Sequence, residues 1–280
     1  MPRDLADVLH HLIPELHPEN EAPPESEDLP RAPAAAPAAA PAADPGVQSE
    51  SVPPGCVLAM PIGDGDVVRA AFAWNLAVEM ARLGAPSCVV VPESDRGAGL
   101  WPDADLRALG AELRWVAASS LAELHWAAHE IARQGRPERP AGMVLVRVPP
   151  QWLPRGEAGA GLLDWTLLLT SPERADLLDS YGLARLVRQA APDARIGVTV
   201  HGIHRRGEGP GAFSKLADVA SRRLGLALSS YGLLVDDLQV YRAILSKRAI
   251  GLVHPQSAAA RSLQDVAQLL LSDARIPIDA

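Results

Sequence analysis

The first residues able to do chemistry stand together in MPIGDGDVVRAA, residues 60–71. Gly63 and Gly65 permit a tight turn, and an apolar stretch with helical spacing follows at once. A turn of this kind can aim backbone N–H groups and a helix N-terminus at an anion, so the chemistry suggested is phosphate binding. A loop that handles a nucleoside triphosphate needs two further groups: a lysine for the phosphates and a serine or threonine for magnesium. Neither is here. Asp64 and Asp66 bring negative charge into the mouth of the loop, Arg69 is the nearest cation, and Ala70 and Ala71 carry no hydroxyl. The only two lysines, Lys215 and Lys247, lie far away in sequence.

Other reactive residue types form weaker patterns. His125 and His129 are one helical turn apart, a spacing that can hold a metal, but no third ligand is identifiable. His201 and His204 follow a strand-like run without an evident partner, and His10 and His11 belong to the N-terminal segment. Asp236 and Asp237 stand at a helix start, where carboxylates complement the dipole. Cys56 and Cys88 occupy apolar, strand-like positions and read as two thiols rather than a disulfide. No nucleophile elbow is present. The expectation is therefore no catalytic residue and no metal site.

The elements that must position the loop are legible from periodicity. Strand-like runs cover 56–61, 87–92, 113–118, 143–149, 165–172, 195–202 and 229–235, and helical spacing fits 67–83, 121–134, 173–190, 211–224, 237–247 and 257–271. Several strands are continuous apolar runs, the pattern of strands buried on both faces. The fold class is thus α/β: a three-layer, doubly wound, mostly parallel sheet, with ligands beyond the carboxyl ends of the strands, where the 61–69 loop lies.

Charge separates a tail from this body. The whole chain has a net charge of -8, and residues 1–54 hold ten acidic and two basic side chains, which accounts for all of it. The neutral body lacks the basic footprint that nucleic acid demands. Within the tail, Leu5, Val8, Leu9, Leu12 and Ile13 form one helical stripe, followed by the proline-spaced tract PAAAPAAAPAADPG. Such spacing favours an extended tether, so the stripe is expected to dock on a protein partner or else to be a frayed extension. No signal peptide or membrane-length apolar run is present, which points to the cytoplasm. The expected domains are an acidic tail over 1–54, a globular domain over 55–272 and a C-terminal tail over 273–280.

Laid without gaps on the loop pattern GKGGVGKTT, GDGDVVRAA (63–71) resembles the deviant phosphate loop of the MinD/ParA family, and NLAVEMARLG (75–84) continues the match. The likeness runs on through LLLTSPERADLLDSYGLARLVR (167–188) and YGLLVDDLQVYRAILSKRAIGLVHPQSAAARSLQDVAQLL (231–270), so it spans about 56–272. By this resemblance the signature lysine falls on Asp64, the phosphate lysine on Arg69 and the magnesium threonine on Ala70. The motif glycines fall on Gly63, Gly65, Asp66 and Val68. Two acidic strand ends fall on Pro92 and Arg147, and the adenine-side asparagine falls near His201.

Scaffold positions agree while nucleotide positions depart. The resemblance implies a P-loop fold with a degenerate nucleotide site: a pseudo-ATPase regulator or adaptor in bacterial spatial organisation, nearest the MinD and flagellar-number-regulator branch. Its surfaces and tail would serve protein partners, and a homodimer is open. No cofactor is expected; ATP is the one candidate, and no magnesium site is identifiable. Two alternatives stand beside this reading: an unconventional ATPase that uses Arg69, and a constitutive scaffold that binds no nucleotide. The last helix holds Asp265 and only Arg261 as a cation, which argues against membrane attachment by that route.

Overall fold

A computed structural model describes residues 56–102, 106–134, 142–155, 158–205 and 207–276. The apolar stripe from Leu5 to Ile13, and with it the docking expectation, lies outside these described residues.

Strand β1 (Cys56–Pro61) leads through the glycine loop into helix α1 (Val67–Arg82), followed by β2 (Ser87–Pro92), β3 (Ala111–Val116), α2 (Leu121–Arg133) and β4 (Met143–Val148). The second half contains β5 (Trp165–Thr170), α3 (Arg174–Ala190), β6 (Arg195–Ile203), α4 (Glu208–Leu224) and β7 (Leu228–Val235). It closes with α5 (Leu238–Leu245), the short α6 (Ile250–Val253) and α7 (Ala258–Asp273). The seven strands form one sheet in the order β3-β2-β4-β1-β5-β6-β7. Each neighbouring pair is parallel.

The continuous apolar strands have the reason expected of them: helices cover both faces. Every residue of β2, β4 and β5 is buried. Along β1 the side chains alternate, so Leu58 and Met60 enter one core with α1 and α7, while Ala59 enters the other. That second core takes Leu124 of α2, Leu183 and Val187 of α3, and Leu216 of α4. Residues 62–66 therefore leave the sheet at its carboxyl edge, between β4 and β5, where a doubly wound sheet opens its crevice.

Boundaries move where tertiary contacts outrank periodicity. β3 begins at Ala111, two residues before the apolar spacing suggests, because it is drawn into register with Ser87 of β2. α4 begins at Glu208 rather than 211: Gly207, at φ 96°, turns the chain, and Gly209 and Pro210 fill a first turn whose N–H groups have no intrahelical acceptor. The 237–247 helix stops at Leu245, and Lys247, at φ 51°, turns the chain towards α6. Asn75 and Glu79 of α1 fix that turn. The Asn75 side-chain oxygen accepts from Ile250 N at 2.7 Å, and a Cβ on Gly251 would collide with the Glu79 carboxylate.

Candidate functional site

The loop is built from the end of β1. Ile62 N donates to Val148 O at 3.1 Å, which extends the β1–β4 pairing by one step. Asp66 N then donates to Gly63 O at 3.3 Å and Val67 N to Gly65 O at 2.9 Å, so the turn spends part of its own N–H supply internally. A Cβ at Gly63 or Gly65 would meet nothing within 4 Å, so Gly65 is required by its φ of 81° rather than by space. Asp66 is the N-cap of α1, its Oδ1 accepting from Arg69 N at 2.9 Å. A carboxylate of the chain itself thus sits at the positive end of the helix, where an incoming anion would need to lie.

Two buried arginines organise the remaining charge. Arg69, 7% exposed, places Nη1 3.2 Å from Asp66 Oδ2 and 2.8 Å from Asp179 Oδ2. Its Nη2 lies 3.7 Å from Asp176 Oδ1. Asp176 and Asp179 come from the start of α3, and Ser171 Oγ donates to Asp176 to hold it. Arg147, on β4 and 2% exposed, donates through Nη2 to Asp64 across the crevice. Gln151 Nε2 donates to the other Asp64 oxygen at 3.2 Å. On its far side, Arg147 Nε lies 3.1 Å from Asp95 Oδ2. That contact lacks hydrogen-bond alignment, so charge attraction is what it supplies. Burial pushes the Asp95 carboxyl up, and Arg147 acts against that rise.

His201 stands behind Arg69, with its ring centroid 5.3 Å from that of Phe72. Burial lowers its pKa, and the Arg69 charge adds to the effect, so the imidazole is held neutral at pH 7. Ala70 is fully buried in the core and offers no polar atom. Pro92 ends β2 at the same edge and starts the turn Glu93–Ala98, which delivers Asp95.

The structure therefore brings Gly63, Asp64, Gly65, Asp66, Arg69 and Ala70 together with Arg147, and it sets Pro92 beside them through Asp95. Sequence reasoning missed Asp95, Gln151, Asp176 and Asp179. One signal was available: the resemblance puts an acid where a lysine is expected, at Asp64, and a base where an acid is expected, at Arg147. These two inversions are partners.

What the arrangement offers a polyphosphate is four nearby carboxylates whose compensating guanidiniums are already engaged, and no hydroxyl at position 70. This donor set does not fit a magnesium–triphosphate group.

The weaker patterns resolve differently. His125 and His129 pack edge to face with centroids 4.5 Å apart. Among the described residues no group of three or more His, Cys, Asp or Glu side chains could hold a metal ion. His204 pairs with Asp236 at 3.1 Å, and Asp237 caps α5 through Gln239 N. Both cysteines are free thiols.

A parallel, doubly wound sheet whose central strand feeds a glycine turn and a helix defines a P-loop NTPase-like domain, of the MinD/ParA type. Known proteins agree with that class. No family model matches the chain. The chain is 31% identical over 102 residues to the antiactivator FleN of Pseudomonas aeruginosa. The aligned stretch spans 36% of this chain and 36% of that relative, about a third of its length. Among solved structures, the MinC:MinD cell division protein complex of Aquifex aeolicus matches with TM-score 0.60 and 16% identity, over 81% of this chain and 99% of that one. The ParA family ATPase of Chlorobium tepidum matches with TM-score 0.51 and 14% identity, over 77% and 99%. The protein is MinD/ParA-like in fold, and over about a third of its length its sequence is similar to that antiactivator.

Proposed function

We propose that this protein is a MinD/ParA-like regulator that acts through protein contacts and does not turn over ATP. The observation that carries the reading is the paired charge of the loop: Asp66 caps α1 while Asp64 is held by Arg147. Binding ATP here would require displacing a carboxylate from the helix N-terminus and bringing phosphates beside Asp64, Asp66, Asp176 and Asp179. Like charges at such range oppose one another, most at the half-buried Asp66 and Asp176 and least at the exposed Asp64 and Asp179, where water screens them. The similarity to an antiactivator supports a regulatory role, and the MinC:MinD complex supports a protein partner for this fold.

In this reading the protein works in the cytoplasm of a bacterial cell, on the placement or number of a cell structure. Residues 1–54 serve as a recruiting tail beside the 55–272 domain. Among the described residues no helix is long and apolar enough to cross a membrane. A homodimer is compatible with this role and is not required by it.

The test is a calorimetric titration of the full chain with Mg-ATP, run beside a phosphate-release assay. No saturable heat and no release are expected, and Arg69→Lys with Ala70→Thr should leave both unchanged. Magnesium-dependent release that disappears in Arg69→Ala would overturn the reading in favour of an ATPase.

A further inference from the structure

At the opposite end of the sheet from the loop, the amino ends of β5, β6 and β7 border a cavity of about 300 Å³. Its walls carry Trp165, Arg188, Asp193, Arg195, Tyr231 and Asp273. The backbone is shaped to place Tyr231 there. The β6–β7 register steps from Val198↔Ser230 to Val200↔Leu233, so Tyr231 and Gly232 together oppose Thr199. This bulge, with Gly232 at φ 96°, re-aims the tyrosine as bulges commonly do beside binding sites. The ring then lies over Gly197, where any Cβ would collide with it.

The polar atoms are ordered in sequence. Trp165 Nε1 donates to Tyr231 Oη at 3.2 Å, and Tyr231 Oη donates to Asp273 Oδ2 at 2.5 Å. Burial, then the Asp273 bond, pushes the phenol up to about 12, so it remains a donor at neutral pH. Arg195 is held over the Trp165 ring, with Cζ 5.1 Å from the centroid. Among the described residues neither Arg188 nor Arg195 has a carboxylate within 4 Å, in contrast to Arg69 and Arg147. Arg188 and Arg195 thus line one cavity together with Asp193 and Asp273, the latter already accepting from Tyr231.

We propose that this cavity binds a free α-amino acid, its carboxylate between Arg188 and Arg195 and its ammonium towards Asp193 and Asp273. The lining selects that class by charge balance. A polyanion would face two aspartates, a simple cation would face two guanidiniums, and a zwitterion satisfies both sets. The volume is at the small end of ligand pockets, which suits an amino acid better than a nucleotide.

The experiment is a calorimetric titration of the full chain with each common amino acid. Acetate, methylammonium and inorganic phosphate serve as probes that carry one charge only. At least one amino acid should bind saturably, and each single-charge probe should bind about tenfold or more weakly. Arg188→Gln and Arg195→Gln should each weaken binding about tenfold without changing the thermal melt. Arg69→Ala, at the other end of the sheet, should leave it unchanged. No saturable heat with any amino acid would overturn the proposal. So would binding that survives both arginine substitutions, or phosphate binding as tightly as the best amino acid. None of these outcomes depends on whether the protein handles ATP.

Discussion

The two ends of the sheet use the same residue type in opposite ways. At the carboxyl end Arg69 and Arg147 are buried, and each is matched by at least two carboxylates. At the amino end Arg188 and Arg195 are more exposed, and neither has a carboxylate partner among the described residues. The difference follows from solvation. A buried guanidinium cannot remain without a counter-charge, whereas water satisfies an exposed one. The loop has therefore committed its charges to the protein's own structure, whereas the arginines of the far end are left to solvent or to a ligand.

Arg147→Ala should break that contrast with the largest effect. It leaves Asp95 buried without its partner and should cost about 3–5 kcal/mol in urea unfolding. Replacing both, as Arg147→Met with Asp95→Leu, should recover most of the loss, since an apolar pair of similar volume is often neutral. Recovery failing would mean that Arg147 matters chiefly through Asp64.

Gly197→Ala tests whether Tyr231 is as tightly placed as the bulge implies. Overpacking against the ring should cost about 1–3 kcal/mol. Removing the loop's cap, Asp66→Ala, should cost about 1 kcal/mol, read as a lower urea midpoint at unchanged slope.

Asp95 provides a pH test of the carboxyl end. Its folded carboxyl is raised above the ordinary 3.8 by burial, with Arg147 opposing. The folded state then holds the proton more tightly than the unfolded state. This contributes stability below pH 3.8 that is lost as the pH rises through the raised value. Asp95→Asn does not titrate, so the stability of the unsubstituted protein minus that of the variant should fall as pH climbs from below 3.8, then level off. A difference that rises instead would mean the Arg147 attraction outweighs burial. The smallest effect belongs to the amino end, where Arg188→Gln and Arg195→Gln should change stability by no more than about 0.5 kcal/mol.

Much of the scaffold was legible in the chain. VVV in β2 and LLL in β5 are short apolar runs without alternation, the pattern of strands covered on both faces. The loop residues were equally legible, because glycine, proline and helix-cap chemistry act over a few neighbours. What periodicity misplaced were edges. β3 takes its start from pairing with Ser87, and the break after Leu245 depends on Asn75 and Glu79, some 170 residues earlier.

By itself, then, the sequence determined the parallel three-layer architecture, the position of the glycine turn and the absence of lysine and hydroxyl from it. Each of these is written in local composition and spacing. Only the tertiary structure decided that Asp64 belongs to Arg147, that Asp95 lies beside that pair, that Asp176 and Asp179 reach Arg69, and that Arg188 and Arg195 have no carboxylate partner among the described residues. Those relations join residues up to 110 positions apart. Side-chain charges separated in this way meet only once burial of the strands has fixed which sheet edge each one reaches.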